Sequence, residues 1–197
     1  MAWDDVKATG DEISADEWNK HVEDQKSRLL EQAEPVTGVK IVERFDGGTA
    51  EERLTNALSA ADNGDKLILE NGNIYNDSRT ISKNVELEGT DKSSTASDGV
   101  FLSSAVWTLS GEVTVNGVGI VGSDGGGIVA DSQYCSMEDI LFFSTGATDI
   151  TVSADNVILT EIKGPGTVTF ESGTTGGEIG ITTGDVSITD NGTNSVL

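Results

Sequence analysis

A single cysteine, Cys135, is all the chain has, so no intramolecular disulfide framework can support the fold. It lies in Tyr134-Cys135-Ser136-Met137 with no histidine or second cysteine beside it, which removes the ordinary soft-metal ligand sets. The role expected for it is that of a small buried filler. Only 2 prolines and 5% aromatic residues are present, so neither a proline-rich disordered tract nor a thick aromatic core is expected. No apolar run approaches ~18 residues, and Met1-Ala2-Trp3-Asp4-Asp5 has neither a basic nor an apolar signal region. Synthesis in the cytoplasm without a signal peptide or membrane insertion is the expectation.

Basic residues are the scarcest class relative to need: 12 Lys and Arg face 34 Asp and Glu, for a formal net charge of −22. Such a surface repels nucleic acid and anionic lipid. Two readings fit it: an ordinary acidic protein kept soluble by its charge, and a protein adapted to multimolar salt, where the screening length falls to roughly 3 Å or less and mutual repulsion is quenched. What the chain does have in quantity is glycine, 24 residues in 197, which fits short strands separated by turns.

Residues Gly10 to about Ala33 read as a helix. Ser14-Ala15-Asp16-Glu17 is a capping box, and Ile13 and Trp18 occupy the two positions of a hydrophobic staple. Trp18, Val22, Gln25, Leu29 and Gln32 then alternate at spacings of four and three, a seam of about two heptads with polar d positions. A stripe this short cannot hold an isolated helix in water. It must dock on its own chain or on copies of itself, so Trp3, Ile13, Trp18, Val22 and Leu29 are the candidate attachment and oligomerisation residues. His21 stands alone on this helix, where packing or solvent contact is its expected role, and Pro35 ends it.

A second helix opens on the capping box Thr49-Ala50-Glu51-Glu52, shows Leu54, Ala57, Leu58 and Ala61 on one face, and stops near Asn63-Gly64. Behind it come apolar runs of three to five residues: Leu67-Ile68-Leu69, Val85-Glu86-Leu87, Val106-Trp107-Thr108-Leu109, Val118-Gly119-Ile120-Val121, Ile140-Leu141-Phe142-Phe143, Ile150-Thr151-Val152, Val157-Ile158-Leu159, Val168-Thr169-Phe170 and Val186-Ser187-Ile188. Equivalent positions around Ile120, Leu141 and Leu159 recur at roughly twenty residues, a solenoid period. The competing arrangement is an antiparallel sandwich, since Asn-Gly and Ser-Gly also make hairpins. Strands this short suit a sandwich poorly, and a solenoid stacks each on its equivalent in the next coil.

The stretch Arg44-Phe45-Asp46-Gly47-Gly48-Thr49, the helix behind it, Asn63 to Leu69, Ile74-Tyr75 and Arg79 to Gly89 resemble the opening of pectate-lyase-like β-helices of phage tailspikes and related proteins. The resemblance implies a right-handed single-stranded parallel β-helix capped at its N-terminal end by the helix at 50–62. Trp3-Asp4-Asp5, Gly10 to Ala15 and Trp18 to Lys26 resemble the openings of structural proteins of haloarchaeal tailed viruses. Residues 1–40 are therefore expected to form a helical attachment segment and 41–197 the β-helix domain. The two resemblances imply a virion-surface appendage: a tail fibre, spike or capsid turret. Its expected partners are further copies of itself (three by resemblance to tailspikes, five on a capsid vertex), other virion proteins bound through the N-terminal segment, and a host-surface glycan or glycoprotein.

Many proteins of the resembled fold cleave polysaccharides. From Ser93 to Leu197 the sole basic residue is Lys163, which argues against β-elimination on the solenoid faces. Hydrolysis needs only two spaced carboxylates. Glu138, Asp139, Asp149, Asp155 and Glu161 are available for pairing across coils, although in so acidic a chain solvated charge is the expected role. Trp107, Tyr134, Phe142 and Phe143 are the candidate aromatic platforms for sugar rings, with the two phenylalanines expected to stack in the core. Ser123-Asp124-Gly125-Gly126-Gly127 is similar to a Ca²⁺-binding solenoid loop, but the nonapeptide repeat is missing. No catalytic residue, cofactor or metal is therefore assigned.

The net charge yields a direct test. Screening lengths grow from roughly 3 Å at 1 M salt to about 10 Å at 0.1 M, so carboxylate repulsion strengthens on dilution. The melting temperature of the full chain should fall progressively from molar KCl to dilute buffer, as followed by circular dichroism.

Overall fold

A computed structural model describes residues 38–89, 99–144 and 149–196. The chain divides into two units, Met1–Thr37 and Gly38–Leu197, and all described residues belong to the second. The helix expected between Gly10 and Ala33 lies outside them.

Strand β1 (Val39–Ile41) and helix α1 (Ala50–Ala60) precede a run of parallel strands. These are β2 (Lys66–Leu69), β3 (Ile74–Tyr75), β4 (Arg79–Ile81), β5 (Glu86–Gly89), β6 (Val100–Ser103), β7 (Val106–Leu109), β8 (Thr114–Asn116), β9 (Val118–Val121) and β10 (Gly127–Ala130). They continue as β11 (Ser136–Glu138), β12 (Leu141–Ser144), β13 (Ile150–Val152), β14 (Ile158–Lys163), β15 (Thr167–Phe170), β16 (Thr175–Thr183), β17 (Ser187–Asp190) and β18 (Thr193–Val196). Each pairs in parallel with its equivalent in neighbouring coils, giving a β-solenoid of about five turns with three faces. The first face stacks β1, β2, β5, β8, β11, the start of β14, the middle of β16 and β18. On the second lie β3, β6, β9, β12 and the ends of β14 and β16. The third holds β4, β7, β10, β13, β15 and β17. The expected solenoid is the observed fold, with one departure: β14 and β16 run on around a corner and serve two faces each.

Register explains the core. On the first face Leu67, Leu87, Val115, Met137, Leu159 and Ile179 lie one above another, all fully buried. The third face stacks Ile81, Leu109, Ala130, Val152 and Phe170 in the same way. Full burial of one such side chain is worth about 1.5–3 kcal/mol. Val85, Val113, Cys135 and Val157 form a further buried column, fixed by Thr114 N–H to Val85 O, Ser136 N–H to Val113 O and Ile158 N–H to Cys135 O. Cys135 thus occupies a valine position, and burial raises its thiol pKa. It is the filler expected from the sequence.

Outward positions alternate with these and carry the polar residues. At the corners, where the ladder is interrupted, side chains of one coil accept N–H groups of the next. Asn63 Oδ1 accepts from Asn84 N, Asn84 Oδ1 from Glu112 N, Ser78 Oγ from Val106 N and Asp149 Oδ2 from Thr167 N, at 2.7–3.1 Å. Backbone groups that a corner would leave unpaired are satisfied in this way.

The expected pairing of Phe142 and Phe143 in the core is corrected in part. Phe142 is buried, but the register slips between Phe142 and Ser144, and Phe143 stands outside on the second face. There its ring meets Phe101 edge-on at 4.7 Å and 80°. Neighbouring residues of a strand point to opposite faces, so only one of the two rings can face inward, and the pairing of Phe142 with the buried Ile120 decides which.

Phe142 provides the packing test of this fold. A Cβ added at Gly166 would lie 2.0 Å from Phe142 Cδ2. Gly166→Ala should therefore overpack the coil, lowering stability by about 1–3 kcal/mol in denaturant unfolding.

Candidate functional site

Charged side chains converge at two places in the described residues: the capped end and the corner between the first two faces. At the capped end, α1 begins on the expected capping box, with Glu52 N donating to Thr49 Oγ1 at 3.2 Å and Thr49 N to Glu52 Oε2 at 3.3 Å. Leu54 and Ala57 are its buried residues, with Leu58 partly covered. So narrow an apolar contact needs help, and ionic groups provide it. Arg53 makes a two-pronged pair with Glu70, Nε to Oε1 at 2.5 Å and Nη2 to Oε2 at 2.8 Å. Glu51 accepts from Asn76 N at 2.5 Å and Asp77 N at 3.0 Å, and pairs with the Arg79 guanidinium. Lys83 Nζ donates to Ser59 O and Ala61 O, carbonyls at the negative end of the helix dipole.

Arg79 was not singled out in the sequence, yet it holds an inward position. It is in register with Trp107, on whose ring its Cζ lies 6.0 Å from the centroid. Tyr75 meets the same indole edge-on at 5.5 Å, and burial raises its phenol pKa. Aligning Arg79-Thr80-Ile81 with Trp107-Thr108-Leu109 would have placed Arg79 in the core column. An open groove of about 410 Å³ runs between α1 and β4, lined among others by Thr55, Ser59, Asp77, Arg79 and Lys83. Its two cations are the ones already engaged with the helix.

In three successive coils the corner between the first and second faces turns on one residue. Gly117, Asp139 and Glu161 follow the registered residues Asn116, Glu138 and Thr160, and all three have left-handed φ of 69°, 54° and 54°. Glycine adopts this freely, whereas a side chain there costs about 1–2 kcal/mol. Lys163 spans the two acidic corners, its Nζ 2.6 Å from Asp139 Oδ1 and 3.3 Å from Glu161 Oε2. The hydrogen bond to Asp139 is the main reason the ammonium pKa is raised. Asp139 is buried while Glu161 and Lys163 are half-exposed, so the contact to Asp139 is the better shielded of the two.

The other sequence candidates are dispersed. Asp149 Oδ2 accepts from Thr167 N, and Asp155 Oδ1 accepts from Thr175 N at 2.7 Å and Oγ1 at 3.1 Å. Glu138 projects from the exposed side of β11. Of the aromatic candidates, Trp107 and Phe142 are in the core, Phe143 is half-buried and Tyr134 is exposed. In the Ser123–Gly127 loop, Ser103 Oγ and Ser123 Oγ donate to Asp124, and Ser144 Oγ donates to Ser123 Oγ. No group of three or more His, Cys, Asp or Glu poised for a metal occurs among the described residues. Trp3, Ile13, Trp18, Val22 and Leu29 lie outside them. No helix among the described residues is long and apolar enough to cross a membrane. No protein-family model, curated protein or solved structure matches the chain.

The Lys163 bridge predicts a pH signature. A lysine whose folded pKa is raised stabilises the fold below its unfolded value, about 10.4, and loses that contribution as pH rises through the higher folded value. Lys163→Met should melt below the parent chain at pH 7, and the gap should close above about pH 10.4. A melting series from pH 7 to 12 measures it.

Proposed function

We propose that this chain is a structural protein of a halophilic archaeal virus, forming an oligomeric appendage on the virion that adsorbs to the host surface. One observation carries the structural part of the reading. Three of the five carboxylates available for catalysis are engaged between coils, Asp139 on Lys163, Asp149 on Thr167 and Asp155 on Thr175, and a fourth, Glu161, pairs with Lys163 within its own strand. They act as fastenings of a rigid rod.

The halophilic and viral parts rest on the net charge of −22 and on the resemblance of the N-terminal segment to openings of haloarchaeal virus structural proteins. A parallel solenoid suits the task because it extends coil by coil while presenting the same three faces. Attachment falls to residues before Pro35, and the solenoid projects outward as a trimer, or as a pentamer on a capsid vertex.

The alternative is a tailspike that binds or hydrolyses host polysaccharide, for which the adjacency of Asp139 and Glu161 on successive coils is the favouring observation. Light scattering in molar salt is expected to give an oligomer for the full chain and a monomer for a chain beginning at Val36. Antibody to the solenoid should decorate purified virions in electron micrographs. A monodisperse full-length monomer would count decisively against assembly, and release of reducing ends from host polysaccharide would establish the enzyme instead.

A further inference from the structure

Tyr134 is the most exposed large apolar side chain among the described residues, 62% accessible, and its backbone φ is +63°. The same corner position is held by Asn156 one coil on, with φ 57°, and by Gly176 after that, with φ 66°. Asparagine and glycine are the residues that tolerate this conformation, and tyrosine is not. An exposed ring contributes little to packing, so folding alone gives no reason for tyrosine here. Strain retained at an exposed aromatic marks recognition.

The neighbours select the ligand. Glu112 occupies the equivalent corner one coil below, since Thr114 and Ser136 are in register. Asp131 precedes the ring by three residues, and Asp155 adjoins Asn156 on the coil above. Glu112 and Asp131 both act electrostatically on Cys135, the next residue along the chain. Lys83, beside Asn84 on the coil below Glu112, has its ammonium committed to the carbonyls of α1. Ile158, in register with Ser136 and 45% exposed, adds an apolar neighbour on the next coil.

We infer that Tyr134, with Glu112, Asp131 and the Ile158 side chain, is a docking point for an arginine or lysine side chain of a protein partner. The cation lies over the ring face, drawn by the ring quadrupole and the carboxylates, while the aliphatic stem rests toward Ile158. At molar salt the long-range attraction is screened, but contact at the ring persists. The site stands whatever particle carries the solenoid.

The chain has two tyrosines and Tyr75 is fully buried, so ring-labelled tyrosine gives NMR signals in which only Tyr134 is open to ligand. An arginine-containing peptide titrated into the full chain in molar KCl should shift the Tyr134 ring signals saturably. The same peptide with citrulline in place of arginine, and a neutral oligosaccharide, should not. Tyr134→Phe should retain binding, whereas Tyr134→Asn should weaken it by about two- to fivefold and leave the melting temperature unchanged or raised. Equal response to citrulline, a response to the oligosaccharide alone, no response at Tyr134, or a Tyr134→Asn protein that melts several degrees lower would each overturn the inference.

Discussion

Each inward side chain of the solenoid must sit directly above its counterpart one coil away, about 4.8 Å distant, and the rest of the structure depends on meeting that condition. Parallel pairing imposes it, because hydrogen bonds between β8 and β11 or between β11 and β14 hold equivalent residues in register. Columns such as Leu67, Leu87, Val115, Met137, Leu159 and Ile179 then share one narrow core. No residue in such a column can change size without pressing on the coil above or below. Gly166 shows how tight this is, since the Phe142 ring fills the space a side chain would take.

Register also determines what the corners must do. In three successive coils the chain turns from the first face to the second on a single left-handed residue, so each of these coils must place either glycine or a strained side chain there. Gly117 meets the demand without cost, while Asp139 and Glu161 meet it at about 1–2 kcal/mol each. The Lys163 bridge offsets part of this, and because it is half-exposed its contribution is attenuated by solvent. The shape of the corner is thus set by the backbone, and the identity of the corner residue is left to neighbouring charges.

The sequence showed the columns more clearly than the corners. A twenty-residue recurrence of apolar runs is a direct image of stacked coils, and the capping box at Thr49 announced α1 to within a residue of its observed start. Phe143 and Arg79 were less legible for a common reason. The direction of a side chain follows from register, and register is fixed by partners a whole coil distant. The pairing of Phe142 with Ile120 left Phe143 outward, and Arg79 was revealed as an inward-facing, partly buried residue only by its pairing with Trp107. Likewise, nothing local to Asp139 shows that Lys163, a coil away, reaches it.

The placement of cations gives the charge of the chain a structural meaning. Every described cation except Lys163 lies between Lys40 and Lys83, at the capped end. Arg53, Arg79 and Lys83 attach α1 to the first coil, Lys40 reaches Asp65 at 3.0 Å beneath it, and Lys66 bridges Glu86 and Glu88. Asp65 replaces valine at the foot of the Val85, Val113, Cys135 and Val157 column, and the Asp62 N–H together with Lys40 lowers its pKa. A carboxylate with a lowered pKa stabilises the fold above its ordinary value and ceases to do so as pH falls through the folded one. Repulsion among the remaining acids is therefore greatest away from the cap, where only Lys163 offsets it in the described coils. The apolar columns supply the cohesion there.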